Sequence, residues 1–148
     1  MKLLLPLLFV GLLFGSCDKE KHRLKKDKRT IEKYLKDHSL TAQSTETGLY
    51  YIIDNAGTGT QPNSGSTVTV KYKGYLTTGY VFDESVSTGI TFNLSEVIEG
   101  WKQGIPLFKE GGSGKLFIPS GLGYGSTAKA TIPANSVLIF EVTLLDVL

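Results

Sequence analysis

The chain has 148 residues, with one cysteine, two histidines and no internal repeat. A lone Cys17 forms no internal disulfide and supplies no redox pair. His22 and His38 both precede the first run of strand-forming residues, so everything after them lacks an imidazole for general base work. With neither Cys nor His in that part, a transition-metal site is excluded there too. The glycine-rich stretch Gly111-Gly112-Ser113-Gly114-Lys115 is not a phosphate loop. Lys109 stands where the first glycine belongs, and Leu116 where Ser or Thr belongs. Ser113 lacks the G-x-S-x-G frame and has no His to activate it. Asp83 and Glu84 are adjacent, hence on opposite faces of a strand, which argues against an acid–base pair.

Charge is present but unevenly placed. Asp18 to Asp37 holds nine Lys/Arg against five Asp/Glu, whereas residues 38–148 hold six against nine. The basic character belongs to the N-terminal segment. The remainder, mildly acidic and without a basic-aromatic stripe, does not suit nucleic acid. With its acids interleaved, the basic segment reads as a solvated spacer; lying along anionic headgroups is the alternative. Ile31, Tyr34 and Leu35 at i, i+3 and i+4 predict a helix of two or three turns around 28–37.

Residues 1–16 read as a secretory signal peptide: Lys2, a run of Leu, Phe and Val too short to span comfortably, then the small Gly15 and Ser16. Leu13-Phe14-Gly15-Ser16-Cys17 resembles a bacterial lipobox, with Phe14 where Leu is usual. That resemblance implies a lipoprotein whose Cys17 carries the acyl chains (palmitate among them) and becomes the N-terminus, with residues 17–44 as a charged, partly helical tether to a membrane of the cell envelope. The outer membrane or a periplasmic face is the expected place. A plain signal peptide with an incidental Cys17 is the other reading.

Residues 45–148 read as one domain. β-branched and aromatic runs at 48–54, 67–76, 80–83, 90–94, 114–119 and 137–148 predict strands, separated by Gly-, Pro- and Asn-rich turns. Between them Glu96 to Pro106 predicts one short helix, with Val97, Ile98, Trp101 and Ile105 as its apolar stripe. Ser95 is placed to cap it, and Gly104 and Pro106 to end it. So short a helix is marginal alone, and a sheet wrapped around it is the expected cover. The fold class is α+β with an antiparallel sheet.

Five blocks then come in the order and spacing of one family: Val70-Lys71-Tyr72-Lys73-Gly74-Tyr75-Leu76, Gly79-Tyr80-Val81-Phe82-Asp83, Val97-Ile98-Glu99-Gly100-Trp101, Gly123-Tyr124-Gly125 and Leu138-Ile139-Phe140-Glu141-Val142. Over about Gly48 to Leu148 the chain resembles the FKBP-type peptidyl-prolyl cis-trans isomerases (rotamases). The resemblance implies a twisted sheet of about five or six strands curled over the helix, with a pocket between them. Trp101 would be its floor. Tyr72, Phe82, Phe92, Val97, Ile98, Ile132 and Phe140 would be its walls, and Asp83 its buried polar member, partnering Tyr72. The Ile98 N–H and the Tyr124 hydroxyl would bind substrate carbonyls. Tyr72, Phe82, Asp83, Trp101, Tyr124 and Phe140 would thus carry catalysis, while Phe92, Val97, Ile98 and Ile132 hold substrate. Phe108 and Phe117 read as core.

The implied activity is X-Pro isomerisation in polypeptides folding outside the cytoplasm, with no cofactor and no metal. Rotation about an amide faces a barrier of about 18–20 kcal/mol, set by C–N resonance. An apolar pocket favours the twisted state without a nucleophile. The alternative is a module that holds Pro-containing segments of an envelope assembly without turnover.

Overall fold

The computed structural model describes residues 14–148, so the expected leader over 1–16 lies almost wholly outside the described residues. Helix α1 (Phe14–Asp37) comes first. One antiparallel sheet follows, built of β1 (Gln43–Ser44), β2 (Tyr50–Asn55), β3 (Thr67–Leu76), β4 (Val81–Glu84), β5 (Ile90–Asn93), β6 (Ser113–Ile118) and β7 (Leu138–Val147). The strand order is β1-β2-β6-β7-β3-β4, with β5 also paired to β3. The two-residue β1 makes the sheet larger than expected, and its pairing of Gln43 with Tyr51 brings the folded unit forward of residue 45.

The helix expected over Glu96 to Pro106 is divided. A 3-10 turn covers Leu94–Glu96, α2 covers Glu99–Gly104, and a second 3-10 turn covers Ile105–Leu107. Asn93 rather than Ser95 provides the cap, its side chain accepting the Ser95 N–H at 2.9 Å. Val97 and Ile98 are extended, so the apolar stripe is assembled from three pieces. Two glycines explain a helix so short: they are poor helix formers, and here they serve packing. A Cβ on Gly100 would lie 2.5 Å from Ile118 Cγ2, and one on Gly104 2.6 Å from Leu116 Cδ1. Glycine lets α2 rest directly on β6.

The sheet is covered on both faces. On one side Leu116, Ile118, Leu138 and Phe140 join Trp101 and Ile105 in the main core. On the other, Phe117 and Ile139 join Tyr50, Val137, Ile31 and Leu35. Successive residues of β6 and β7 thus alternate between two cores, as period-2 geometry requires. The second cover is α1, which runs for 24 residues instead of two or three turns. Ile31 is fully buried and Asp27 is only 3% exposed, which overturns the solvated-spacer reading for this half of the segment. The cause is spacing: Asp27, Ile31 and Leu35 recur every fourth residue and share one helix face. Among the described residues no helix is long and apolar enough to cross a membrane.

Tyrosines seal the α1 interface. The Tyr50 hydroxyl donates to Glu32 at 2.7 Å. Burial, and then that carboxylate, push its pKa up to about 12. Tyr75 is likewise held above the ordinary tyrosine range, first by burial and then by the neighbouring Tyr34 and Glu141.

Two outcomes are expected. Ile31→Ala should cost about 2–5 kcal/mol in urea unfolding, the range for deleting a buried aliphatic side chain. The raised Tyr50 pKa favours the protonated side chain in the folded state. Its share of stability is whole below about pH 10, the unfolded value, and is lost as pH rises through about 12. The urea midpoint should therefore fall across that window, and less steeply in Tyr50→Phe.

Candidate active site

The site is built where β3, β4, β7 and α2 converge. Gly74 of β3 lies opposite Phe140 of β7 on one side and Asp83 of β4 on the other. A Cβ at Gly74 would sit 2.7 Å from the rings of both Phe82 and Phe140. Its absence lets those rings meet edge-on, with centroids 5.5 Å apart and planes at 84°. Trp101 rises from α2 to meet Phe140 at 5.2 Å and Tyr72 at 5.1 Å, both near perpendicular, and Phe92 at 5.3 Å. Such edge-to-face contacts follow the ring quadrupoles and add to simple area burial.

These rings bound an open cavity of about 670 Å³. Tyr72, Phe82, Asp83, Phe92, Val97, Ile98, Trp101, Tyr124, Ile132 and Phe140 all line it, so every pocket residue expected from the sequence is brought to one place. Cys17, the eleventh expected site, lies apart in the first turn of α1 and is exposed. One expectation is corrected. Asp83 is not buried but exposed, because β4 is a four-residue edge strand with open side chains at Val81, Asp83 and Glu84. It nevertheless accepts the Tyr72 hydroxyl at 2.7 Å. Burial first, and then this carboxylate, hold the Tyr72 pKa well above the ordinary tyrosine range, so the hydroxyl stays protonated.

Backbone and rim complete the geometry. The Ile98 carbonyl accepts the N–H groups of Trp101 at 3.0 Å and Lys102 at 3.2 Å, and its own N–H has no acceptor among the described residues. Trp101 Nε1 is also buried without a partner there. Glu96, Lys129, Ala130 and Thr131 line the mouth and were not read from the sequence. Lys129 Nζ lies 4.8 Å from the Tyr124 ring centroid, a cation–π contact. Lys129 and Ile132 exchange both backbone hydrogen bonds across a tight turn, with Ala130 left-handed at φ 49. Composition marks 120–135 as loop but carries no sign of that turn, since alanine is an unusual residue for positive φ. Among the described residues no three His, Cys, Asp or Glu side chains converge to hold a metal ion. The chemistry on offer is an aromatic, largely apolar cavity with a few hydrogen-bond donors and no nucleophile.

Residues 58–145 match the family model described as FKBP-type peptidyl-prolyl cis-trans isomerase. The chain belongs to this family. The FKBP-type isomerase FkpA of Aeromonas hydrophila is 41% identical over 135 residues, covering 84% of this chain and 50% of that protein. The crystal structure of FkpA from Escherichia coli superposes with a TM-score of 0.75 at 38% identity, covering 89% of this chain and 63% of that one. A peptidyl-prolyl cis-trans isomerase structure from Pseudomonas syringae pv. tomato gives a TM-score of 0.74 at 26% identity, with 93% and 98% covered. The chain spans about half the length of the curated relatives it matches. As an FKBP-type domain, its α+β fold and antiparallel sheet agree with these neighbours.

The role of Gly74 is directly testable. Gly74→Ala should destabilise by about 1–3 kcal/mol, the usual cost of overpacking, and should displace the Phe82 ring. Urea unfolding and the ring chemical shifts of Phe82 and Phe140 report the two effects.

Proposed function

We propose that the chain accelerates cis–trans isomerisation of X-Pro bonds in polypeptides outside the cytoplasm, using its aromatic cavity. The observation that carries this reading is the perpendicular cluster of Trp101, Tyr72, Phe82 and Phe140 around a cavity that has hydrogen-bond donors but no nucleophile. Unaided X-Pro exchange takes tens to hundreds of seconds. The planar amide is stabilised by resonance and by water on its polarised oxygen; both are lost as it twists. Walls of Phe82, Phe92, Val97 and Phe140 exclude water and so raise the planar state relative to the twisted one. Ile98 N–H and the Tyr124 hydroxyl hold the flanking carbonyls, fixing one side of the bond while the other turns. Trp101 supports the proline ring from below, and the Tyr72–Asp83 hydrogen bond holds the Tyr72 ring upright beside it.

The same proposal places the protein in the bacterial envelope, anchored by lipid on Cys17. The small Gly15 and Ser16 after the apolar leader support this, as does the exposure of Cys17. Its clients are Pro-containing polypeptides met there.

Isomerisation of an X-Pro peptide, followed with the chain from Asp18 onward so that α1 is retained, tests the reaction. Clear acceleration is expected, and Phe82→Ala or Trp101→Ala should lower kcat/KM at least about tenfold, equivalent to 1.4 kcal/mol of barrier. A folded chain that binds Pro-peptides yet gives no acceleration would leave only the holding role. For the anchor, labelled fatty acid should enter the full chain in bacterial cells, and Cys17→Ala should lose both label and membrane association. A labelled Cys17→Ala protein would refute it.

A further inference from the structure

Asp27 and Ser120 are the buried polar residues among those described, and they bond to each other across 93 positions of sequence. Asp27 Oδ2 accepts the Ser120 N–H at 2.9 Å and its hydroxyl at 2.5 Å. The nearest cation, Arg23, stands 3.9 Å from the other oxygen, beyond hydrogen-bond reach. A carboxylate so deeply buried is costly unless well bonded, and Ile31 and Leu35 already supply the apolar dock for α1.

The bonds continue beyond Ser120 into the pocket wall. The Ser120 carbonyl accepts the N–H of Gly123 at 3.0 Å and of Gly125 at 2.8 Å. Those glycines flank Tyr124, so the backbone aiming that ring is held on both sides by one carbonyl. The Gly125 carbonyl in turn accepts the Asn135 N–H at 2.7 Å, three residues after Ile132. The link is geometric: Asp27 holds Ser120 by both its N–H and its hydroxyl, and so fixes the direction of the carbonyl that binds the two glycines, while the Pro119 carbonyl of the same peptide group accepts the Leu122 N–H at 2.9 Å. The Cβ direction of Gly125 is open, with nothing within 4 Å, and its φ of 60 is one that glycine adopts freely.

We propose that Asp27 is a positioning residue of the pocket. Through Ser120 it sets the backbone that aims Tyr124, and through Gly125 and Asn135 it steadies the segment bearing Ile132. Helix α1 is then part of the site's scaffold. The proposal rests on the isomerase reading of the cavity.

The test compares Asp27→Ala, Asp27→Asn and Ile31→Val in the full chain. Ile31→Val loosens the same interface without touching the hydrogen bonds. X-Pro turnover is measured beside amide hydrogen exchange at Gly123 and Gly125. Asp27→Ala should lower kcat/KM about tenfold and speed exchange at both glycines by about tenfold or more. Asp27→Asn keeps an acceptor for Ser120 and should return turnover to within about threefold of the parent. Ile31→Val should stay within about twofold. Equal losses in Asp27→Ala and Ile31→Val at equal stability, or no rescue by Asn, would overturn the proposal. If Asp27→Ala does not fold, Ser120→Ala, which loses only the hydroxyl bond, takes its place with a loss of about threefold expected. If the parent itself shows no turnover, the isomerase reading falls and glycine exchange alone judges the positioning role. Faster exchange in the Asp27 variant than in Ile31→Val upholds it; equal exchange rejects it.

Discussion

Burial of β6 and β7 on both faces is the constraint to which the rest of the molecule answers. Leu116, Phe117 and Ile118 are all buried, as are Leu138, Ile139 and Phe140. A strand pair of that composition is stable only if each face finds an apolar cover. One cover is α2 with its flanking 3-10 turns, which brings Trp101 under the sheet. The other is α1, whose Ile31 and Leu35 close the opposite face. The cavity lies on the α2 side because α2 is too short to cover that face completely. What it leaves open between Phe82, Phe92 and Phe140 becomes the pocket.

Within the pocket small residues matter as much as large ones. Gly100 and Gly104 bring α2 against β6, which sets the height of the Trp101 ring. Gly74 leaves the gap into which Phe82 and Phe140 turn edge to edge. Three missing side chains thus fix the aromatic arrangement. The polar groups are few and placed at the margins: the Tyr72 hydroxyl on Asp83, the Ile98 N–H, and Tyr124 on its glycine-flanked loop. This division, apolar at the centre and donors at the rim, suits a reaction that needs an amide loosened and held but no bond broken.

Much of this was legible in the residues. Alternation in Val68, Val70 and Tyr72 marked β3, whose limits at Thr67 and Leu76 agree with the expected strand. Eight of the ten pocket residues lie in the motif blocks, Phe92 and Ile132 follow from the wider family resemblance, and all ten line one cavity. The failures have physical causes. The helical period runs across Val97 and Ile98, yet such spacing cannot distinguish one continuous helix from three short pieces that bury the same side. The expected burial of Asp83 fails because a motif tells of neighbours but not of a strand's place at the sheet edge. The docking of α1 is masked by the charge of its open faces, although the sequence carries a sign of it. Phe117 and Ile139 are apolar at positions that a one-sided sheet would give to solvent, so something had to cover them.

The continuity of α1 also changes what the N-terminus can do mechanically. From Cys17 to the buried Ile31 is one unbroken helix of about 21 Å, taking about 1.5 Å per residue. A flexible segment of equal length would let the domain sweep a volume and collide with partners from every side. A stiff lever clamped to the sheet instead ties the pocket's direction to whatever holds the lever's far end. The cavity mouth keeps one bearing relative to the helix axis, whatever the far end does.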